Sequence, residues 1–306
     1  MKTWKIIENR NTYFFVSIFM GLVFYGVTFS YYGGFKPSIT FNGGIRVTII
    51  FPPEQNKEII ESQLKEAGFQ EFTVRLVDQK EHKYDIEFGP EVREQLKEKI
   101  KEDRTIMEEL ENILLPYLKI PKENIISREV ISASYGMDLF QTALAALFWT
   151  LILITIYITF RFDFSFALGG TIALLHDLIL TIGFIGITQI EPSIPVVAAV
   201  LTLLGYSIND TIIIFDRIRS KIRDKGDLIN TTLINEAIRE TFSRTIITSF
   251  LTMLSLIAII ISNAESLIDF SLILIFGIII GTYSSIAIAC PIMFLYEKFR
   301  QHKLHT

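Results

Sequence analysis

Half of the 306 residues are apolar, the formal net charge is −4 and the mean hydropathy is positive. That exceeds the Ile, Leu and Phe content a soluble domain needs, so the membrane class is tested before any other. The mild acidity gives nucleic-acid binding no support, while one cysteine, Cys290, and histidines without ligand-like spacing exclude a disulfide framework and a metal cluster.

A basic stretch with Lys2, Lys5 and Arg10 leads into an apolar run over residues 13–32. About 20 residues cross a bilayer at ~1.5 Å per residue. The run is too long for a signal-peptide core, and Tyr31-Tyr32-Gly33-Gly34-Phe35 follows it instead of a small-residue cleavage site. Residues 1–32 are therefore expected to be a cytoplasmic N-terminus and an uncleaved first transmembrane helix.

Residues 33–136 have the composition of a soluble domain. Residues 45–51 alternate and are β-rich, and Pro52-Pro53 ends them. Residues 54–67 carry helical spacing (Ile59, Ile60, Leu64, Ala67) up to Gly68. Alternation returns at Phe72, Val74 and Leu76, and again at Tyr84, Ile86 and Phe88. Residues 91–115 read as one charged helix with a stripe at Val92, Leu96, Ile100, Ile106 and Leu110, and residues 125–133 as a last strand. The order β-α-β-β-α-β predicts a split βαβ, ferredoxin-like plait with two helices on one face of an antiparallel sheet.

Five further apolar runs follow, at about 140–160, 166–187, 195–215, 245–262 and 267–296, making six spans. Residues 217–244 hold Arg217, Arg219, Lys221, Arg223, Lys225, Arg239 and Arg244. Arg161 marks the turn after the second span, and Lys298, Arg300 and Lys303 the tail. Residues 188–194 and 263–269 hold no Lys or Arg but carry Glu191, Glu265 and Asp269. The positive-inside bias places both termini in the cytoplasm and the plait outside. The expected fold is thus an α-helical polytopic membrane protein: six transmembrane helices with an extracytoplasmic βαββαβ domain between helices 1 and 2. Residues 137–306 would form helices 2–6, with a cytoplasmic loop at 217–244 and a cytoplasmic C-terminal tail.

Polar residues inside these spans are the candidate site. Span three carries His176-Asp177 and span four Asn209-Asp210, with Tyr206 and Ser207 one turn earlier; span five begins at Arg244, with Thr245, Thr248, Ser249 and Thr252 on one stripe. A carboxylate in hydrocarbon costs about 2.5–3.5 kcal/mol on insertion scales, so polar groups there face the bundle interior and pair. Asp210 lies about 22 Å from the outer end of its span, the depth at which Arg244 enters the next. An Asp210–Arg244 pair follows from depth, and protonating Asp210 would break it, a switch driven by a proton gradient. Packing and interhelical hydrogen bonding remain open for His176-Asp177 and for the threonine stripe, and snorkelling for Arg244. Gly277 and Gly281 form a small-xxx-small pattern for close helix approach, within the chain or to a partner. No phosphate loop, nucleophile elbow or zinc-protease motif appears, so no catalytic residue, cofactor or metal is expected and energy would come from an ion gradient or a partner.

Several stretches resemble the SecD/SecF family of membrane subunits that assist the bacterial Sec translocon: Phe41-Asn42-Gly43-Gly44, Ala173-Leu174-Leu175-His176-Asp177, the run from Gly205 to Arg219 around Tyr206-Ser207-Ile208-Asn209-Asp210-Thr211, Ser243-Arg244-Thr245-Ile246-Ile247-Thr248-Ser249, and Gly281-Thr282-Tyr283-Ser284-Ser285. The first departs from the family at Thr40, Asn42 and Ile45. The resemblance implies a resistance-nodulation-division-type half bundle completed by a SecD-like subunit in the bacterial inner membrane. It implies action on unfolded preprotein beside the translocon channel, with a membrane insertase as a further option, and no nucleic acid. It also implies use of the proton gradient, with proton-pathway roles for Asp210 and Arg244. A proton-coupled exporter of small molecules or lipids, and a non-conducting scaffold, stand as alternatives; about 100 external residues is small for such an exporter.

Overall fold

The computed structural model describes residues 5–36, 38–99, 105–225, 229–262 and 264–304; Lys2 and Ile100, named above, lie outside them. In chain order the elements are α1 (Arg10–Ser30), α2 (Ile39–Asn42), β1 (Gly44–Ile50), α3 (Lys57–Glu66), β2 (Phe72–Asp78), β3 (Lys83–Phe88), α4 (Pro90–Lys99), α5 (Ile106–Leu118), β4 (Ile125–Ile131), α6 (Ala133–Arg161), α7 (Phe164–Thr188), α8 (Ile194–Lys225), α9 (Thr231–Ile261), α10 (Glu265–Ser284) and α11 (Cys290–Leu304).

The four strands pair antiparallel in the order β2-β3-β1-β4, the order of the expected plait. Period-two alternation sorts each strand into two faces. Ile45, Val47, Ile49, Tyr84, Ile86 and Phe88 are buried against Ile60, Leu64, Val92, Leu96, Leu110, Leu114 and Leu118 from the helices. The other face is polar: Arg46 pairs with Glu87 at 2.8 Å and Glu129 at 3.3 Å, and Thr48 donates to Asp85 at 2.7 Å. The single helix expected over 91–115 is two, α4 and α5. A capping box starts the second, with Glu108 N–H donating to Thr105 Oγ1 and Thr105 N–H donating back to Glu108.

Among the described residues, six helical segments are long and apolar enough to cross a membrane: α1, Tyr135–Arg161, α7, Ile194–Asp224, α9 and Leu267–Lys303. The helix α7 lies at the centre. Its small residues let neighbours close in: a Cβ on Gly186 would sit 2.4 Å from Thr28 of α1, and one on Gly169 would sit 2.5 Å from the Ala289 carbonyl. Between α10 and α11 the helix passes through a π turn over Ser285–Ala289, where Cys290 Sγ donates to the Ser285 carbonyl at 3.2 Å.

Residues 217–244, expected as a loop, are mostly helix. The helix α8 runs on to Lys225 and α9 begins at Thr231, capped by Asn230 accepting from Leu233 N–H at 2.9 Å. The extensions are held by ion pairs, Arg217–Glu240 at 2.5 Å and Lys221 to Glu236 and Glu240 at 3.2 and 2.9 Å. The N-terminal segment docks on the same base, where Ile7 N–H donates to Asn235 and Asn235 donates to Glu8. Asp216 pairs with Arg161 at 3.1 Å.

Candidate functional site

Four helices bring polar groups to one buried region of the bundle. Asp177 of α7 is fully buried, and each of its oxygens is bonded. His176 Nδ1 lies 2.9 Å from Oδ1, while Ser207 of α8 and Ser284 of α10 donate to Oδ2 at 2.5 and 2.8 Å. Charge-assisted bonds of this kind are the strong ones, which is how a carboxylate can be held so deep.

One turn further along α8 is Asp210, 1% exposed. Thr282 of α10 donates to its Oδ2 at 3.3 Å, and Thr282 is in turn 2.9 Å from Ser249 of α9. Oδ1 of Asp210 is buried without a partner among the described residues, as are Thr245 Oγ1 and His176 Nε2. Buried polar atoms are normally bonded, so Asp210 is the less completely satisfied of the two carboxylates. Ser207 and Asp210 share one face of α8, so this helix carries one carboxylate and bonds the other.

Close helix contact makes this geometry possible. A Cβ on Gly281 would lie 2.9 Å from Ser207 Cβ, and one on Gly277 2.6 Å from Leu203. The partner of the small-xxx-small pattern is therefore α8 of the same chain.

The expected residues do not all converge. Tyr206 leaves the network and bonds Thr252 of α9 at 3.0 Å. Thr248 turns its hydroxyl back onto the Arg244 and Thr245 carbonyls. Asn209 is exposed, pointing away from its neighbour Asp210. The Asp210–Arg244 ion pair inferred from depth is not closed in this conformation. Thr245 and Ser249 take the buried face of α9, which turns Arg244 outward to an exposed position without an ion pair among the described residues. Its charge still acts on Asp210 through space. Sequence reading missed Thr282 and Ser284 as carboxylate donors; the three hydroxyls of Thr282, Ser284 and Ser285 in an apolar run were the available signal. It also missed how Tyr283 ties α10 to α1, donating to the Tyr13 carbonyl at 2.9 Å with Ser17 at 3.2 Å. Among the described residues no group of His, Cys, Asp and Glu has a metal-holding arrangement.

Residues 115–299 match the family described as "Protein export membrane protein SecD/SecF, C-terminal". The chain is 37% identical over 300 residues to the protein translocase subunit SecF of Sebaldella termitidis, covering 97% of this chain and 93% of that one. It is 31% identical over 289 residues to the same subunit of Borreliella burgdorferi, covering 93% and 94%. Among solved structures it is similar to SecDF, a translocon-associated membrane protein from Thermus thermophilus, with a TM-score of 0.78 and 29% identity, spanning 97% of this chain and 39% of that one. SecDF in its super-membrane-facing form gives a TM-score of 0.71, with 100% and 40% covered.

Proposed function

The chain belongs to the SecD/SecF family of protein-export membrane proteins, and we propose that it is the SecF-type accessory subunit of Sec protein translocation, driven by protons that bind Asp210. The single observation that carries the proton reading is Asp210: a carboxylate 1% exposed within a membrane span, with one oxygen bonded by Thr282 and the other without a partner among the described residues. A group placed this way is retained for its charge change rather than for packing.

In the ionised form Asp210 holds Thr282 and, through it, Ser249, and draws the Arg244 charge toward it. Protonation removes that attraction and leaves a hydroxyl that can itself donate, so the bonds joining α8, α9 and α10 re-sort between two arrangements. Arg244, outward on α9 beside exposed Ile246, Ile247, Phe250 and Leu251, is placed to swing between Asp210 and a neighbouring subunit.

That neighbour is a SecD-like partner. The chain spans 39% of the solved SecDF chain it resembles, leaving room there for a second half bundle. The basic residues at the facing ends of α8 and α9, Arg217 to Lys225 and Arg239 to Arg244, support an orientation with both termini in the cytoplasm and the plait outside, in the bacterial inner membrane. Preprotein and the translocon channel are the remaining partners, and the protein acts in transport and not as an enzyme or holder of a cofactor. The exporter reading is disfavoured by the size of the external domain; the passive-scaffold reading is disfavoured by the unsatisfied carboxylate, since a packing network would close its own bonds.

The test is replacement of the cell's own copy by Asp210→Asn. Export should fall to the level of a depleted strain while the variant still co-isolates with its SecD-like partner; undiminished export would overturn the proton reading.

A further inference from the structure

The polar face of the plait rests on the end of the bundle at one buried carboxylate. Glu191, in the short connection between α7 and α8, is 5% exposed although it belongs to no helix. Arg75 of β2 donates to it in a close ion pair, and Lys36, from the segment leaving α1, lies 3.8 Å away. The same connection is pinned by Gln189, whose side chain donates to the Gly34 carbonyl at 3.1 Å and the Gly186 carbonyl at 2.6 Å. Strand β2 also touches α10, where Asp269 lies in the field of Arg75, Lys36 and Glu191. A cavity of about 290 Å³ lies beside the junction, lined by Glu191, Glu87, Thr73 and Ser38 among others.

The junction Arg75 enters connects the helices that hold the buried network: Glu191 lies between α7, which carries Asp177, and α8, which carries Ser207 and Asp210, and β2 touches α10, which carries Thr282 and Ser284. Helices transmit rigid shifts along their length, and Glu191 joins two of the three directly. Ion pairs on a protein surface contribute little, but this one buries its carboxylate, so removing Arg75 leaves Glu191 with only the longer contact to Lys36 and breaking the pair has a definite cost. The cavity leaves space for the plait to tilt about it.

We propose that Arg75, through Glu191, is the positioning residue that couples proton-driven movement of α7, α8 and α10 to the external plait. The inference rests on the proton reading above. It assigns Arg75 a mechanical role: without it Asp210 still titrates, but the plait no longer follows.

The experiment uses the full chain with its SecD-like partner and the translocon in vesicles, reading preprotein transport with and without an imposed proton gradient. Arg75→Gln, at a position 36% exposed, removes the cation without burying anything new. Its gradient stimulation should fall by about tenfold, within the range of an ordinary coupling energy, while Arg75→Lys keeps most of it. The swap Arg75→Glu with Glu191→Arg should recover part of the loss. A merely structural role would lower gradient-independent transport equally, whereas coupling leaves that baseline unchanged. Parental stimulation in Arg75→Gln, beside an Asp210→Asn control that has lost it, would overturn the coupling and leave the proton reading standing. Parental stimulation in Asp210→Asn would overturn that reading itself.

Discussion

Asp177 and Asp210 differ in how completely they are satisfied. Asp177 has partners on both oxygens, from three side chains; Asp210 has one long bond. Asp177 is thus built to stay as it is and Asp210 to change. Replacing Ser284 by Ala removes one interhelical bond. In a bilayer such bonds average about 0.6 kcal/mol with a maximum near 1.7, so Ser284→Ala should lower the thermal stability of the detergent-solubilised chain by that modest amount. Asp177→Ala, which leaves Ser207 and Ser284 without their acceptor and opens a void, should cost more, about 2–4 kcal/mol.

Two plait carboxyls titrate with opposite sign. Burial pushes Glu111 up, but hydrogen bonds from Lys122 and Arg128 outweigh it and hold its carboxyl below the ordinary 4.5. Burial first, then the charge of Glu191, holds Glu87 above that value despite Arg46 and Arg75. A lowered group contributes stability that is present above its unfolded value and lost as pH falls through the folded one; a raised group contributes stability that is present below its unfolded value and lost as pH rises through the folded one. Protease resistance of the plait, measured in the whole chain, should therefore lose its acid-side decline in Glu111→Gln. In Glu87→Gln it should lose its decline on the side above 4.5. An unchanged profile in both would show that other groups set the pH response.

At the scale of elements, helix approach is decided by what a new Cβ would meet. At Gly169 it meets the backbone carbonyl of Ala289 in the π turn; at Gly277 it meets the flexible end of Leu203. Backbone cannot yield as a leucine methyl can. Gly169→Ala is therefore expected to destabilise by about 1–3 kcal/mol and Gly277→Ala by under about 1 kcal/mol, read as melting temperatures of the two variants.

The spans were legible because hydropathy alone marks them, and the plait because its strands alternate cleanly. Where reading failed, the signal was often present but outweighed. Leu233, Ile234, Ala237, Ile238 and Thr241 form a buried helical stripe behind the Asn230 cap, yet the arginines and lysines around them read as a loop. Likewise Thr105 and Glu108 form a capping box that divides a segment read as one helix. What could not be read was the pairing. Asp177, Asp210 and Ser249 were recognisable as buried polar groups, but which hydroxyl meets which carboxylate depends on how α10 packs against α8, and no periodicity within one helix contains that. The orientation of Arg244 failed for a related reason: depth fixes how far along a helix a residue lies and says nothing about its face.

For the molecule as a whole, the exposures describe a bundle with one finished side. Within their apolar stretches α7 and α8 are half buried, while the second span is only 6% buried and α9 17%. The α9 face beside Arg244 presents Ile247, Phe250, Leu251 and Leu254. In a membrane such faces meet lipid or another bundle. Charge placement and helix contact then connect the parts in series, from Asp210 through α8 to Glu191, and from Glu191 through Arg75 to the plait.

The central claim is that Asp210 titration drives transport. It is tested most directly by reconstituting the chain with its SecD-like partner and the translocon in vesicles, imposing a proton gradient acidic on the plait side, and timing the release of preprotein. The parental chain should accelerate when the gradient is applied, and Asp210→Asn should run at the gradient-free rate whether or not it is present. An Asp210→Asn chain that accelerates as the parent does would contradict the account.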